Sequence, residues 1–128
     1  MGYSRVVWGM SALLWLIITV LWCVWFGAPA VAVAVAFAIL PDIALIGAFA
    51  EKGRLKPERV VFYNAMHNAL VAVAVLAVGL VIFFLTGGMD GGSWLLGIAG
   101  LAWFVHIAAD RALNFGRRAP DGSIIPVV

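Results

Sequence analysis

The sequence predicts an all-α integral membrane protein, a single domain over residues 1–128 built as a bundle of four transmembrane helices, and three observations carry that expectation. Of the 128 residues 66% are apolar and only 11% charged, more oil than a soluble domain of this size hides. Four stretches, about 6–26, 30–50, 60–85 and 94–115, each supply the roughly 20 mostly apolar residues that a helical span requires. All eight Lys and Arg fall in segments that four alternating spans bring to one side. Arg5 precedes the first span, Lys52, Arg54, Lys56 and Arg59 lie between the second and third, and Arg111, Arg117 and Arg118 close the fourth. The bias of insertion toward cytoplasmic Lys and Arg then predicts that the N-terminus, the C-terminus and the middle loop are cytoplasmic.

The first span resembles a signal peptide superficially, with Arg5 ahead of it and small residues at Ala28–Ala30. Its apolar run exceeds the roughly 15 residues of a signal core, and further spans follow, so it is expected to be retained. Cys23, the single cysteine, excludes an intramolecular disulfide and reads as packing. The connection "GAP" is short and uncharged.

The second span contains "AVAVAVAFA", whose alternation suits a strand, but an open strand leaves its backbone unsatisfied in lipid and helix is expected. Its alanines offer a thin face for close approach of a neighbour. Pro41 cannot donate the helical hydrogen bond, so a kink is expected there, with Asp42 at the start of a resumed half-helix. The polar run "EKGRLKPER" is expected to be a tight connection in a helical hairpin, with Pro57 starting the third span.

The third span is expected as one helix carrying Asn64, His67 and Asn68 on a single face, since positions three and four apart are neighbours. "TGGMDGGS" follows as a flexible outer turn without the Lys of a phosphate-binding loop. Trp8, Trp22, Trp25 and Trp94 lie near span ends and read as interfacial anchors. The fourth span, within "LAWFVHIAADRALNFG", places His106, Asp110 and Asn114 on one face, with Arg111 about 100° away, where it would snorkel to headgroups. The tail, residues 116–128, shows no periodicity and is expected to be irregular.

Counting inward at about 1.5 Å per residue puts Asp42 about 12 Å deep, His67 about 10 Å, His106 about 14 Å and Asp110 about 8 Å. Three helices therefore bring costly groups to one cytoplasm-facing layer, and such groups persist in a membrane only with partners. Two imidazoles and two carboxylates suit a divalent cation, Zn²⁺, Mn²⁺ or Fe²⁺. Asn64, Asn68 and Asn114 would orient the ligands from behind or, taken singly, bind helices together. Bland alternatives stand beside this: histidines as interhelical hydrogen bonders, Asp42 favoured by a half-helix dipole, and Asp110 paired with Arg111 or Arg118.

"ILPDIALIGAFAEKGR", "FYNAMHNAL" and "WFVHIAADRALNFG" together resemble a bacterial family of small four-span membrane proteins, domain of unknown function 4260, through L-P-D, Y-N-x-x-H and H-x-x-x-D-R in that order. The resemblance implies a multi-pass protein of the bacterial cytoplasmic (inner) membrane and singles out Asp42, Tyr63, Asn64, His67, His106 and Asp110 without giving them roles; Tyr63 joins the asparagines behind the ligands. More distantly the chain is similar to inner-membrane metal-dependent hydrolases, in which His67 matches the second histidine of an H-R-G-x-T-H-S segment whose first has no counterpart here.

Three function classes follow. One is a metal-dependent hydrolase of a lipid or lipid-linked substrate, with Asp42, His67, His106 and Asp110 on the metal and Asp42 or Asp110 as base. The second is a b-type haem electron carrier using His67 and His106, and the third a non-enzymatic structural subunit or small carrier whose polar cluster joins helices or relays protons. Nucleic acid is not an expected partner, because no basic patch interleaved with aromatics lies outside the spans. The lipid bilayer is, and a homodimer is compatible with four short helices.

Overall fold

The computed structural model describes residues 2–51 and 53–127. Four helical segments are long and apolar enough to cross a membrane, Tyr3–Phe26, Ala28–Leu45, Pro57–Leu85 and Leu95–Ala112, and the chain is a multi-pass membrane protein. Leu13, Leu14, Leu16, Ile17, Leu21 and Val24 all lie more than 45% exposed along the first of them, a face that suits lipid and would be an aggregation surface in water.

Helix α1 (Tyr3–Phe26) ends at Gly27, whose φ of 88° lets the chain reverse within one residue before α2 (Ala28–Ile39) begins with Pro29 in its first turn. At Pro41 the helix tightens into a 3₁₀ segment, Leu40–Leu45. The second span therefore ends near Leu45, short of the expected 50. The connection is also not a plain helical hairpin: β1 (Phe49–Glu51) pairs antiparallel with β2 (Arg54–Leu55). Long-range bonds explain this, since the Leu55 N–H donates to the Gly122 carbonyl at 3.0 Å and that of Lys56 to Ala48 at 2.7 Å. Pro57 does open the third span, through a 3₁₀ turn at Pro57–Arg59.

The third span is broken where one continuous helix was expected. Helix α3 (Val60–Met66) stops at His67, and α4 (Ala69–Leu85) restarts with Asn68 as its cap, the side-chain oxygen accepting from the Leu70 N–H at 2.9 Å. Helix α5 (Leu95–Ala112) is central: half of its span is buried, against 6% for α1, and α1, α2 and α4 all pack on it. The α2 face of Ala30 and Ala34 buries against Ile98 and Ala102. At Gly79 and Gly100 the backbones of α4 and α5 approach so closely that a Cβ would strike Gly97 and Leu76 respectively. Trp22 and Trp94 are not free anchors but pack against Phe83 and Phe26 at ring separations of 4.9 and 6.1 Å, while Trp25 stays 67% exposed.

Arg5 Nε donates to the Ala112 carbonyl at 2.9 Å, so the start of α1, the end of α5, the hairpin and the tail share one end of the bundle. The tail is less irregular than its composition suggests: Arg118 bridges Ile124, and Asn64 clasps the Arg118 backbone through both amide atoms, at 3.0 and 2.8 Å.

Candidate metal-binding site

Each of the four polar residues is held by an interruption or a turn of helix. Asp42 stands in the first turn of the 3₁₀ segment, His67 at the break between α3 and α4, and His106 and Asp110 one turn apart on α5. One ligand atom from each of Asp42, His67, His106 and Asp110 lies within 4.8 Å of the other three. His67 Nε2 is 3.5 Å from Asp42 Oδ1 and 3.4 Å from Asp110 Oδ2, and His106 Nε2 is 3.2 Å from each of the same two oxygens. The predicted cluster is therefore one constellation.

The tautomers follow from the opposite ring nitrogens. His67 Nδ1 donates to the Tyr63 carbonyl at 2.9 Å and His106 Nδ1 to the Ala38 carbonyl at 2.6 Å. A carbonyl only accepts, so each neutral ring carries its proton on Nδ1 and turns the Nε2 lone pair toward the carboxylates. In the 3₁₀ register that begins at Leu40 the donor due to the Ala38 carbonyl would be Pro41, which has no N–H. Both Nε2 atoms are buried, and neither makes a hydrogen bond. Two imidazole edges and two carboxylates thus face one another, a group of donors that could hold a metal ion.

Four of the six spacings match a small cation. Ligands about 2.0–2.1 Å from a tetrahedral Zn²⁺ are about 3.3–3.4 Å from each other; the four His-to-Asp separations span 3.2–3.5 Å, and all six lie within 4.8 Å. A haem gripped by His67 and His106, the electron-carrier alternative, does not fit, because both carboxylate oxygens stand within 3.5 Å of each Nε2, where the macrocycle would lie.

Enclosure is uneven: the His67 side chain is 2% exposed and that of Asp42 49%. Asp42 and Asp110 border a cavity of about 400 Å³ whose wall includes Leu45, Phe49, Tyr63 and Arg118.

Tyr63 lies flat on His67, ring centroids 4.0 Å apart and planes at 18°, and so supports a ligand by stacking. The asparagines do not stand behind the ligands as expected: Asn64 binds the Arg118 backbone, Asn68 caps α4, and Asn114, at φ 71°, accepts from the Val127 N–H at 2.8 Å. Arg111 does not snorkel. It donates to the His67 carbonyl at 3.2 Å and lies over the Trp8 ring, and Asp110 pairs with the imidazoles instead of Arg111 or Arg118.

Two supports escaped the sequence reading, Trp103, whose indole donates to the Met66 carbonyl at 2.7 Å, and Arg118 against Tyr63. The break in the third span that gives Trp103 its partner carries no Gly or Pro to announce it.

Comparison with curated proteins and with solved structures gives no match. A family model, described as domain of unknown function (DUF4260), matches residues 6–123, a stretch that holds all four cluster residues, and the chain belongs to that family.

Proposed function

We propose that Asp42, His67, His106 and Asp110 hold one divalent cation, Zn²⁺ ahead of Mn²⁺ or Fe²⁺, at the cytoplasmic side of a bacterial inner membrane, and that the protein is a metal-dependent hydrolase of a lipid or lipid-linked substrate. The observation that carries the reading is the pair of imidazoles locked by backbone carbonyls with unpartnered Nε2 atoms turned on two carboxylates. Nitrogen and oxygen donors at these separations suit Zn²⁺ best.

When bound, such a cation supplies Lewis acidity. The protein's part is positional. Asp110, with a side chain 21% exposed, and the two imidazoles form the enclosed side of the site, while half-exposed Asp42 faces the cavity; as base it would leave the cation's fourth position to the attacking water and take that water's proton. The apolar cavity wall supports an amphiphilic substrate entering from the same leaflet.

The test is to purify the protein in mild detergent, supply Zn²⁺, Mn²⁺ or Fe²⁺ in turn, and measure bound metal per chain by elemental analysis, with Co²⁺ substitution to read coordination from the visible spectrum. Near-stoichiometric metal with the intense bands of four-coordinate Co²⁺ is expected. Substoichiometric loading with every ion would leave the cluster as interhelical polar packing around protonated imidazoles.

A further inference from the structure

Arg118, which lies against Tyr63 in the cavity wall, has surroundings unusual for a cation. Its residue is 6% exposed. Nη1 donates to the carbonyls of Gly53 and Gly122 at 2.7 and 3.1 Å, the guanidinium lies 5.3 Å from the Tyr63 ring centroid, and Nε is buried without a hydrogen-bond partner. Among the described residues no carboxylate forms an ion pair with it; Asp121, the nearest acid in sequence, accepts from Ser123 instead. A buried guanidinium partnered only by neutral carbonyls is incompletely compensated.

The same residue lines the cavity of about 400 Å³ that Asp42 and Asp110 border, together with apolar Leu45, Phe49 and Phe115. One divalent cation would neutralise the two aspartates, and Arg118 then leaves the cavity with a net positive charge. Arg is suited to phosphate and carboxylate oxygens because its planar fork offers several donors at once. A cation and apolar side chains in one cavity wall describe the complement of an anionic amphiphile.

We propose that Arg118 and this cavity form a binding site for a phosphate group carried on an apolar chain, so that the phosphate lies beside the metal cluster. The inference rests on the metal reading, since without a cation the two carboxylates would repel the phosphate. Arg118 acts on the phosphate directly, and its stacking on Tyr63, which in turn stacks on His67, couples the anion site to the metal ligands.

The experiment uses the full chain in detergent with Zn²⁺ supplied, metal content measured on each sample. Binding of monoacylglycerol phosphate, of monoacylglycerol without phosphate, and of inorganic phosphate is followed by titration calorimetry. Wild type is expected to bind monoacylglycerol phosphate at least ten times more tightly than monoacylglycerol. Arg118→Gln should lose at least tenfold in that affinity, Arg118→Lys less, and Arg117→Gln, altering the exposed cation beside it, nothing. Ile124→Glu, which sets a carboxylate in the cavity wall, should abolish binding and does not depend on Arg118→Gln folding. Inorganic phosphate binding as tightly as the lipid would assign the site to free anion and overturn the amphiphile. Metal-loaded Arg118→Gln and Ile124→Glu proteins that both bind like wild type would overturn the inference while leaving the metal reading intact; absence of both metal and lipid binding in wild type would overturn both.

Discussion

Arg111 donates to the carbonyl oxygen of His67 at 3.2 Å, at the point where the third span breaks. The break leaves carbonyls without intrahelical donors, and α5 answers two of them, Arg111 at His67 and Trp103 at Met66. The helix that carries His106 and Asp110 therefore also fixes the backbone of the ligand opposite them.

Replacing Arg111 with Met should destabilise the protein by about 1–2 kcal/mol, the range of a hydrogen bond from a charged group in a partly exposed setting. Thermal unfolding followed by circular dichroism reads this. Arg111→Lys should recover part of it, and equal melting of wild type and Arg111→Met would show that the contact carries no stability.

Metal affinity should depend on the Tyr63 ring and not on its hydroxyl, because the flat stack on His67 is at 4.0 Å whereas the hydroxyl contact to the Gly116 carbonyl is long, at 3.5 Å. Tyr63→Leu should weaken Zn²⁺ binding about 10–100-fold, as loss of a ligand-orienting group does, with Tyr63→Phe close to wild type. Competition with a chromogenic chelator measures both. His106→Ala, which removes a ligand, should lose more than either; a folded His106→Ala that loads like wild type would sink the metal site.

Gly79→Ala should cost about 1–3 kcal/mol, since the new Cβ meets the Gly97 backbone and forces α4 from α5. Gly9→Ala, whose Cβ would sit 3.5 Å from that of Ala112, is the matched control and should melt like wild type. Indistinguishable melting of all three proteins would mean that α4 and α5 separate without penalty.

The described Lys and Arg residues gather at the end of the bundle that holds the hairpin and tail, so that end should be cytoplasmic. A phosphatase fused at residue 90, active only outside the cytoplasmic membrane, should be active, and the same fusion after residue 127 silent. The reverse pattern would invert the topology.

The spans and the cluster were legible because both follow from local rules: apolar runs long enough for a bilayer, and spacings of three and four along a helix. Depth counting alone brought Asp42, His67, His106 and Asp110 to one level. Where spacing misled, a break in the helix or a partner distant in sequence had intervened. Asn64 and Asn68 share a face with His67 on an ideal helix, yet the chain breaks at His67, and Asn68 is drawn into capping α4 while Asn64 takes the tail. The β-hairpin was equally hidden, because the Gly122 carbonyl that accepts from Leu55 lies far along the chain. Arg118 read as a topology signal, since nothing local indicates that a charged residue folds inward.

The docking of the tail also sets an order of assembly. The wall of the cavity that Asp42 and Asp110 border takes Phe115, Arg118 and Ile124 from beyond α5, and the clasp of Asn64 on Arg118 and of Leu55 on Gly122 joins that wall to residues translated much earlier. The segment that encloses the cavity is translated after all four spans, so the cavity wall cannot be completed until the tail has been made.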